Sequence, residues 1–437
     1  MTNDVNVREL ILGVLLAVTR DGEYSHIALK ATLDKYQYLT KQERSFVTRV
    51  CEGTLEHMIW IDYVINQFSK VKVNKMKPVI RSIIRSSVYE LKYMDAVPAG
   101  ATCNEAVKLA QKKGFHNLKG FVNGVLRNIS RNLGQIELPD KEQQPVAYLS
   151  VTYSMPEWIV EKWLDEYGFL QVEEMLQAFL APAPTSVRVN TARTSKEHLV
   201  KLLEEEGVAV RENEKLPYGL FLSEYDYLNS LESFRQGLFY VQDVSSMLVS
   251  HLAKPQQGNY VIDVCAAPGG KSIHMAELLD GTGMVEARDL TDYKVGLIWE
   301  NITRSQLSNI KAVQADATIL RPEDREKADI VIADLPCSGL GVIGKKADIK
   351  YKMTPQKQEE LVKLQQEILN VVESYVKPGG VLMYSTCTIN REENEENVNR
   401  FLKKHPAYRL EFQEQMLPKA GEQDGFFIAR LMKEKYE

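Results

Sequence analysis

Two cysteines and an aspartate stand at positions where chemistry is expected. Cys337 lies three residues after Asp334, which follows an apolar run, and Cys387 lies three residues after Tyr384, which ends another. A thiolate is a strong nucleophile, and a carboxyl group can hold or deliver a proton. Two thiols and a carboxylate at one cofactor pocket would permit covalent attack on a substrate and its later release.

A third segment is typical of a cofactor loop. It joins the apolar run Tyr260–Val264 to a helical pattern that starts at Lys271. Small residues let the backbone approach a ligand, and a helix N-terminus offers free N–H groups. Neither the dinucleotide fingerprint nor the Walker A pattern is present, so a nucleoside cofactor without a diphosphate clamp, S-adenosylmethionine, fits best. The predicted loop ligands are Cys265, Ala266, Ala267, Pro268, Gly269, Gly270 and Lys271.

Three carboxylates are expected to complete this cofactor site. Asp289, Asp316 and Asp334 follow successive apolar runs that are interpreted as strands. A carboxylate at the end of the second strand can accept both ribose hydroxyls, which assigns that role to Asp289. Such residues also serve as plain turn formers about half the time. Lys271 is expected to meet the cofactor carboxylate or the target ring, with a solvated lysine at a helix start as the alternative.

Short apolar runs alternating with helical stretches set the fold class of the C-terminal half. This alternation predicts an α/β, Rossmann-like domain with a mostly parallel sheet covered on both faces. Ligands of such sheets bind at the carboxyl ends of the strands, where all three motifs fall. The catalytic domain is expected over residues 236–437.

Three further segments are predicted to precede that domain. Residues 1–132 carry helical periodicity throughout and include the capping box Thr40–Glu43, so they are expected to form an all-α domain. Residues 133–149 have the proline-rich, polar composition of a linker, and residues 150–235 are expected to form a small α/β module. In that module Ser186–Asn190 alternates as a strand.

Composition indicates a soluble protein of the cytoplasm, with neither a membrane partner nor a signal peptide. The five cysteines show no zinc-type spacing, so no metal is expected. Net charge is −5 overall, but residues 1–150 hold 21 Lys and Arg against 15 Asp and Glu. A basic helical domain beside an acidic catalytic one suits an enzyme that acts on RNA, although charge runs are more often solvated faces.

The motifs resemble two known families. Val97-Pro98, Asn104–Val107 and Phe121–Leu126 are similar to the NusB family of RNA-binding helical domains. The cofactor loop and the cysteine segments, in their order and spacing, resemble the Sun (Fmu) family of RNA cytosine-C5 methyltransferases; Gln242-Asp243 and Asp424–Phe427 match that family too. One departure is Leu335, where the family usually has alanine. The resemblance implies S-adenosylmethionine as methyl donor and small-subunit ribosomal RNA as substrate, with no obligate protein partner evident.

The resemblance also implies roles for the catalytic residues. Cys387 is implied as the nucleophile that attacks C6 of cytosine, and Cys337 as the helper in product release. The residues alone leave Cys337 as the rival nucleophile. Asp334 is expected to stabilise the adduct at N3 of the ring, with Lys271 beside it. Candidate RNA contacts, each with an ordinary surface residue as its alternative, are Arg188, Asn190, Lys112, Lys113, Lys119 and Arg127.

Other functions remain open at this stage. The target could be another RNA, such as tRNA or large-subunit ribosomal RNA. A non-catalytic RNA-binding assembly factor would not need two thiols, an aspartate and a complete loop. An antitermination module would not need 300 further residues, and a DNA cytosine methyltransferase would use Pro-Cys as its nucleophile.

Overall fold

The computed structural model describes residues 5–435, which fall into two compact units. The first unit is helical and ends at Leu180. Its helices bury one apolar core, and the predicted capping box at the start of the third helix is present, with Glu43 N–H donating to Thr40 Oγ1 at 3.3 Å. The helices are α1 (Val7–Thr19), α2 (Ser25–Lys35), α3 (Lys41–Glu56), α4 (Met58–Phe68), α5 (Pro78–Tyr93), α6 (Ala99–Lys112), α7 (Lys119–Asn132), α8 (Pro145–Tyr153) and α9 (Glu157–Leu180).

The predicted linker does not end the helical unit, because α8 and α9 still belong to it. The backbone of α9 is interrupted at Gly168, where φ is 74° and only glycine adopts the conformation without strain. The compact unit thus includes helices that the sequence analysis assigned to the linker and to the small α/β module.

The second unit opens with a small four-stranded antiparallel sheet of order β2-β3-β1-β4. The predicted strand at Ser186–Asn190 is its first strand. The apolar residues of this sheet pack with the helices around a separate core. The elements are β1 (Thr185–Val189), α10 (Lys196–Glu205), β2 (Ala209–Glu212), β3 (Gly219–Ser223), α11 (Glu232–Arg235), β4 (Phe239–Val241) and α12 (Val244–Ala253).

The large sheet begins with four strands that all run parallel. Their side chains are buried on both faces, as expected of a parallel sheet covered by helices. The elements are β5 (Tyr260–Asp263), α13 (Gly270–Leu278), β6 (Met284–Asp289), α14 (Asp292–Ser305), β7 (Ile310–Gln314) and β8 (Ala328–Asp334).

After β8 the chain returns to the helical unit for ten residues, Ile343–Lys352, which include α15 (Ile349–Lys352). Ser25 donates its N–H and its hydroxyl to Asp348, and Lys350 donates to Glu56 O at 2.8 Å. Burial lowers the pKa of Lys350 to about 7. The helical unit therefore also includes a chain segment that lies between the Asp334–Cys337 motif and Cys387 in the sequence.

The remaining strands complete a seven-stranded sheet of order β10-β11-β9-β8-β5-β6-β7. β9 runs parallel to β8, whereas β10 and β11 are antiparallel. The predicted Rossmann-like fold with a mostly parallel sheet is confirmed. Among residues 5–435 no helix is long and apolar enough to cross a membrane. The last elements are α16 (Pro355–Val372), β9 (Val376–Thr386), α17 (Glu395–Lys404), β10 (Tyr408–Met416) and β11 (Phe426–Lys433).

Candidate active site

The parallel pairing of β8 with β9 brings the two candidate cysteines together. Asp334 at the end of β8 is in register with Ser385 on β9. Cys337 and Cys387 follow these two residues, and their Sγ atoms lie 3.1 Å apart although 50 residues separate them in the chain. The expectation that adjacent strands would bring these thiols together agrees with this geometry.

Backbone hydrogen bonds hold the two cysteine-bearing loops in this register beyond the ends of the strands. Leu335 N–H donates to Ser385 O at 3.1 Å, and Gly341 N–H donates to Cys387 O at 3.0 Å. Leu335, the departure from the family pattern, directs its side chain into the core, where it is almost fully buried. The substitution of leucine for alanine therefore adds to the packing behind the loop.

A buried carboxylate that sequence analysis missed joins the two loops. Glu393 is fully buried in the short turn Arg391–Glu393 that follows the second cysteine. It accepts hydrogen bonds from Ser338 N–H at 2.9 Å, from the Ser338 hydroxyl at 2.5 Å, from Asn390 Nδ2 at 2.9 Å and from Gln365 Nε2 at 3.1 Å. Nothing in a run of glutamates after Cys387 distinguishes this one from its solvated neighbours.

The environment of Cys337 favours its protonated form. The hydrogen bond with Cys387 raises the pKa of the Cys337 thiol well above its ordinary value, and burial and the negative charge of Glu393 act in the same direction. A thiol that keeps its proton can donate it to a neighbouring sulfur. The raised pKa favours Cys337 as the donor of the hydrogen bond that the two sulfur atoms share.

Asp334 is held at both oxygens beside the thiols. Lys271 Nζ donates to Asp334 Oδ2 at 2.6 Å, and the Ser385 hydroxyl donates to Asp334 Oδ1 at 2.8 Å. Burial lowers the pKa of Lys271, but the charge and hydrogen bond of Asp334 outweigh it and raise that pKa overall. The ammonium also lies 5.4 Å from the centre of the Phe426 ring. Both side chains of the pair stay partly exposed.

The predicted cofactor loop connects β5 to α13 at the same edge of the sheet. Gly269 has a φ of 106°, so a residue without Cβ is needed where the chain enters the helix. Ala266 N–H donates to Arg288 O at 2.8 Å, and Gly269 N–H donates to Ala266 O at 2.7 Å. Burial raises the pKa of the Cys265 thiol, which marks it as a packing residue of the loop.

Asp289 and Asp316 differ in how many of their acceptor positions already receive hydrogen bonds from the protein. Asp289 is almost fully buried and accepts from Ala267 N–H at 3.0 Å, from Leu290 N–H at 2.8 Å and from Lys294 Nζ at 2.9 Å. A carboxylate has about four acceptor positions, so one remains. Among residues 5–435, Asp316 is bound only by Thr318, whose N–H and hydroxyl lower the pKa of Asp316.

The residues at this edge fit S-adenosylmethionine. Glycines at a helix N-terminus suit a close approach to the methionine part, and acceptors at the ends of successive strands suit a ribose. Leu290 and Ile319, which follow the two carboxylates in the chain, leave more than half of their apolar surface exposed. Exposed apolar side chains beside acceptors are what an adenine ring requires.

The prediction that Arg188 and Asn190 guide RNA needs correction. Both side chains are fully buried in the second unit. Arg188 forms an ion pair with Glu277 at 3.0 Å, and Asn190 Nδ2 donates to Gly237 O at 2.9 Å. Groups without exposed surface and with protein partners are not placed to meet a nucleic acid, so neither is retained as an RNA contact.

The cations predicted to form a basic face of the helical unit are exposed. Lys112 and Lys113 both pair with Glu9, and these hydrogen bonds lower the pKa of Glu9. Within the described part of the chain, Lys119 forms no ion pair, and Arg127 Nε donates only to the neutral Asn123 amide at 2.9 Å. The net positive charge of this face therefore comes mainly from Lys119 and Arg127.

The sheet order, the loop and the strand-end carboxylates define a Rossmann-like, S-adenosylmethionine-dependent methyltransferase. Residues 250–432 match the family of 16S rRNA methyltransferase RsmB/F. A probable ribosomal RNA small subunit methyltransferase B of Bacillus subtilis is 34% identical over 98% of this chain and 99% of its own length. The chain belongs to this family of ribosomal RNA methyltransferases.

Further comparisons match the N-terminal regions of the chain as well as its full length. Residues 5–131 match the NusB family, and residues 155–226 match the ferredoxin-like domain of RsmF/B-like methyltransferases. A probable ribosomal RNA small subunit methyltransferase B of Synechocystis is 32% identical over 98% of this chain and all of its own. The crystal structure of PH0851 covers 98% of both chains with a TM-score of 0.82 at 26% identity.

The buried carboxylate of Glu393 yields a prediction about thiol reactivity. In a Cys387→Ala background, Glu393→Gln removes the negative charge beside Cys337 and should lower the pKa of that thiol by roughly one unit. Alkylation of Cys337 by iodoacetamide, followed by site-resolved mass spectrometry, should then rise at lower pH. Glu396→Gln, at an exposed glutamate nearby, is the matched control. An identical pH profile for folded Glu393→Gln and its control would contradict the electrostatic role.

Proposed function

We propose that this protein transfers a methyl group to C5 of a specific cytosine in small-subunit ribosomal RNA through a covalent cysteine–C6 adduct. The observation that carries the proposal is the pair of thiols, 3.1 Å apart, beside the Lys271–Asp334 ion pair. C5 of cytosine is a weak nucleophile until a thiolate adds to C6 and breaks the conjugation of the ring. The site offers a thiol for that addition and polar groups for the ring that receives it.

Cys387 is assigned as the nucleophile. Its sulfur shares a hydrogen bond with the Cys337 thiol, whose raised pKa favours Cys337 as the donor. The positive charge of Lys271 also acts on this sulfur, since the two groups interact electrostatically. A hydrogen bond and a nearby cation both stabilise a thiolate relative to a thiol. These features favour attack by Cys387 and supply the preference that the sequence pattern lacked.

Asp334 and Lys271 are assigned to the target ring. Addition of the Cys387 sulfur to C6 forms a carbon–sulfur bond and builds negative charge that spreads to N3. Asp334, in its protonated form, or Lys271, as the donor at the shared hydrogen bond, can neutralise that charge. The hydroxyl of Ser385 holds the carboxylate in one orientation.

S-adenosylmethionine supplies the electrophilic methyl group when it is bound. Its proposed ligands are the loop Cys265–Lys271 together with Asp289, Asp316 and Asp334. Once C5 carries the methyl group, its proton leaves to solvent water, and the electron pair of that C–H bond forms the C5–C6 double bond. The bond between C6 and sulfur then breaks and leaves its electrons on Cys387 as a thiolate. Cys337, in contact with that sulfur, is assigned to this elimination by returning a proton to the leaving thiolate.

The helical unit is proposed to contribute affinity for RNA. Its exposed cations suit phosphates, which dominate the affinity of most nucleic-acid complexes. A target base inside a duplex would be out of reach, so the enzyme is expected to act on a loop or on a base turned out of its stack.

The cysteine roles predict different failures. Cys387→Ala should abolish methylation and give no covalent complex with unmodified ribosomal RNA and cofactor. The Cys337→Ala variant should still attack and methylate the cytosine, but it should release the methylated RNA slowly, so that a protein–RNA adduct survives a denaturing gel. Asp334→Ala should slow formation of that adduct. Cys103→Ala, at a buried cysteine of the helical unit, is the control and should behave as wild type.

Two outcomes of that gel would contradict the assignment. An adduct trapped by Cys387→Ala and absent from Cys337→Ala would exchange the two roles. Activity kept by both variants without any adduct would exclude the covalent mechanism. The gel separates attack from release. A variant that fails to fold is recognised separately, because it does not bind cofactor.

A separate prediction tests Asp289 as a cofactor ligand. Asp289→Ala should raise the dissociation constant for S-adenosylmethionine, corresponding to a loss on the order of 1–3 kcal/mol for hydrogen bonds to a charged group. Isothermal titration calorimetry measures it, with Asp292→Asn at an exposed aspartate as control. Unchanged affinity in the folded Asp289 variant would remove this residue from the site.

The RNA proposal predicts a dependence on salt. The logarithm of the binding constant for ribosomal RNA should fall linearly with the logarithm of salt concentration. Lys119→Gln with Arg127→Gln should weaken binding and make the slope shallower by roughly 1 to 2, while Lys30→Gln on α2 should change neither. An unaltered slope in the double variant would mean that these two cations do not contact RNA phosphates and would contradict the proposed role of the helical unit. Full-length variants are required, since Ile343–Lys352 belongs to this unit.

A further inference from the structure

The guanidinium of Arg188 is enclosed entirely by groups of the second unit. Nε and Nη2 donate to the two oxygens of Glu277 at 3.2 and 3.0 Å. Nη1 donates to the backbone carbonyl of Gly270 at 3.0 Å and also to the side-chain carbonyl of Gln242. The Cζ atom of the group lies 4.9 Å from the centre of the Tyr240 ring. The strand of the small sheet that carries Arg188 is thus bound to helix α13 of the large domain.

The two bonded groups of α13 define one face of that helix. Gly270 is its first residue and Glu277 lies seven residues later, so two turns of helix present both groups on the same side. A guanidinium spreads five N–H donors over a rigid plane and can satisfy a carboxylate and a carbonyl at once. A lysine ammonium at this position could not reproduce that set of bonds.

The first turn of α13 is held a second time from outside the helix. The hydroxyl of Ser250 on α12 donates to Lys271 O at 3.1 Å. Two successive carbonyls, those of Gly270 and Lys271, are therefore bound by side chains of other elements. The N–H groups of this turn are the ones free to bind a cofactor, and Lys271 extends from the same turn to Asp334.

We infer that Arg188 is a positioning residue that fixes the first turn of α13 for the cofactor and for Lys271. Its action on cofactor affinity needs only the S-adenosylmethionine dependence of the family. Its action on the target ring through Lys271 rests on the proposed function. An ion pair that served stability alone would lower the amount of folded protein but would leave the affinity of each folded molecule for cofactor unchanged.

The test compares two arginine-to-lysine substitutions on the same small sheet of the full-length chain. Arg188→Lys keeps the charge and removes the planar fork, whereas Arg211→Lys does the same at an exposed arginine of β2. Arg188→Lys should raise the dissociation constant for S-adenosylmethionine, measured by calorimetry, by about tenfold or more, because small displacements of binding groups have large effects. The KM for cofactor should rise in parallel. The affinity for ribosomal RNA should stay unchanged, as should all properties of Arg211→Lys.

An unchanged cofactor dissociation constant in folded Arg188→Lys would overturn the inference. A loss of RNA affinity with unaltered cofactor affinity would overturn it as well and would return Arg188 to RNA recognition. If Arg188→Lys does not fold, Glu277→Gln carries the test: it keeps the shape of the pair, and it should raise the same constant by about threefold. Unaltered affinity in Glu277→Gln would then refute the positioning role. Since Cys387→Ala should leave cofactor affinity intact, failure of the covalent mechanism is distinguishable from failure of this inference.

Discussion

The contact between the sulfur atoms of Cys337 and Cys387 depends on a buried negative charge. Each thiol lies on a loop just beyond the end of a parallel strand, where only a few backbone hydrogen bonds continue the ladder. Glu393 adds to these bonds, since its four hydrogen bonds come from the loop of Cys337, from the loop of Cys387 and from α16. A buried carboxylate is tolerated only when such partners satisfy it, and removal of its partners would leave an unpaired charge. The positions of the two thiols therefore depend on Glu393 keeping all of its hydrogen bonds.

The same carboxylate contributes to the chemical difference between two otherwise similar cysteines. Its negative charge adds to the hydrogen bond and the burial that hold the proton on Cys337. The positive charge of Lys271, by contrast, acts on Cys387. The Cys337 sulfur is therefore biased towards the thiol, whereas the Cys387 sulfur interacts with a cation. A division of labour between attack and elimination requires that kind of asymmetry.

Charged residues were the least predictable part of the site. Arg188 and Lys119 are equally basic in the sequence, yet one is enclosed by Glu277 and Gly270 and the other is exposed. Among the glutamates after Cys387, Glu393 is buried and Glu396 is half-exposed. Burial of a charge depends on partners far away in the chain, and local composition contains no information about them. Apolar periodicity is different, because the face of a helix or strand is repeated within a few residues.

The sequence by itself determined the helical character of the first domain, the parallel α/β fold and the cofactor loop, because periodicity, small residues and spacing are local properties. It also determined the chemical inventory: two thiols, Asp334 and Lys271. Only the tertiary structure decided that Arg188 faces α13, that Glu393 joins the loops and that Ile343–Lys352 packs within the helical unit. It also gave the two cysteines different surroundings, with Glu393 near Cys337 and Lys271 near Cys387. These features are contacts between groups tens to hundreds of residues apart, and the energies that select them arise only once the chain has folded.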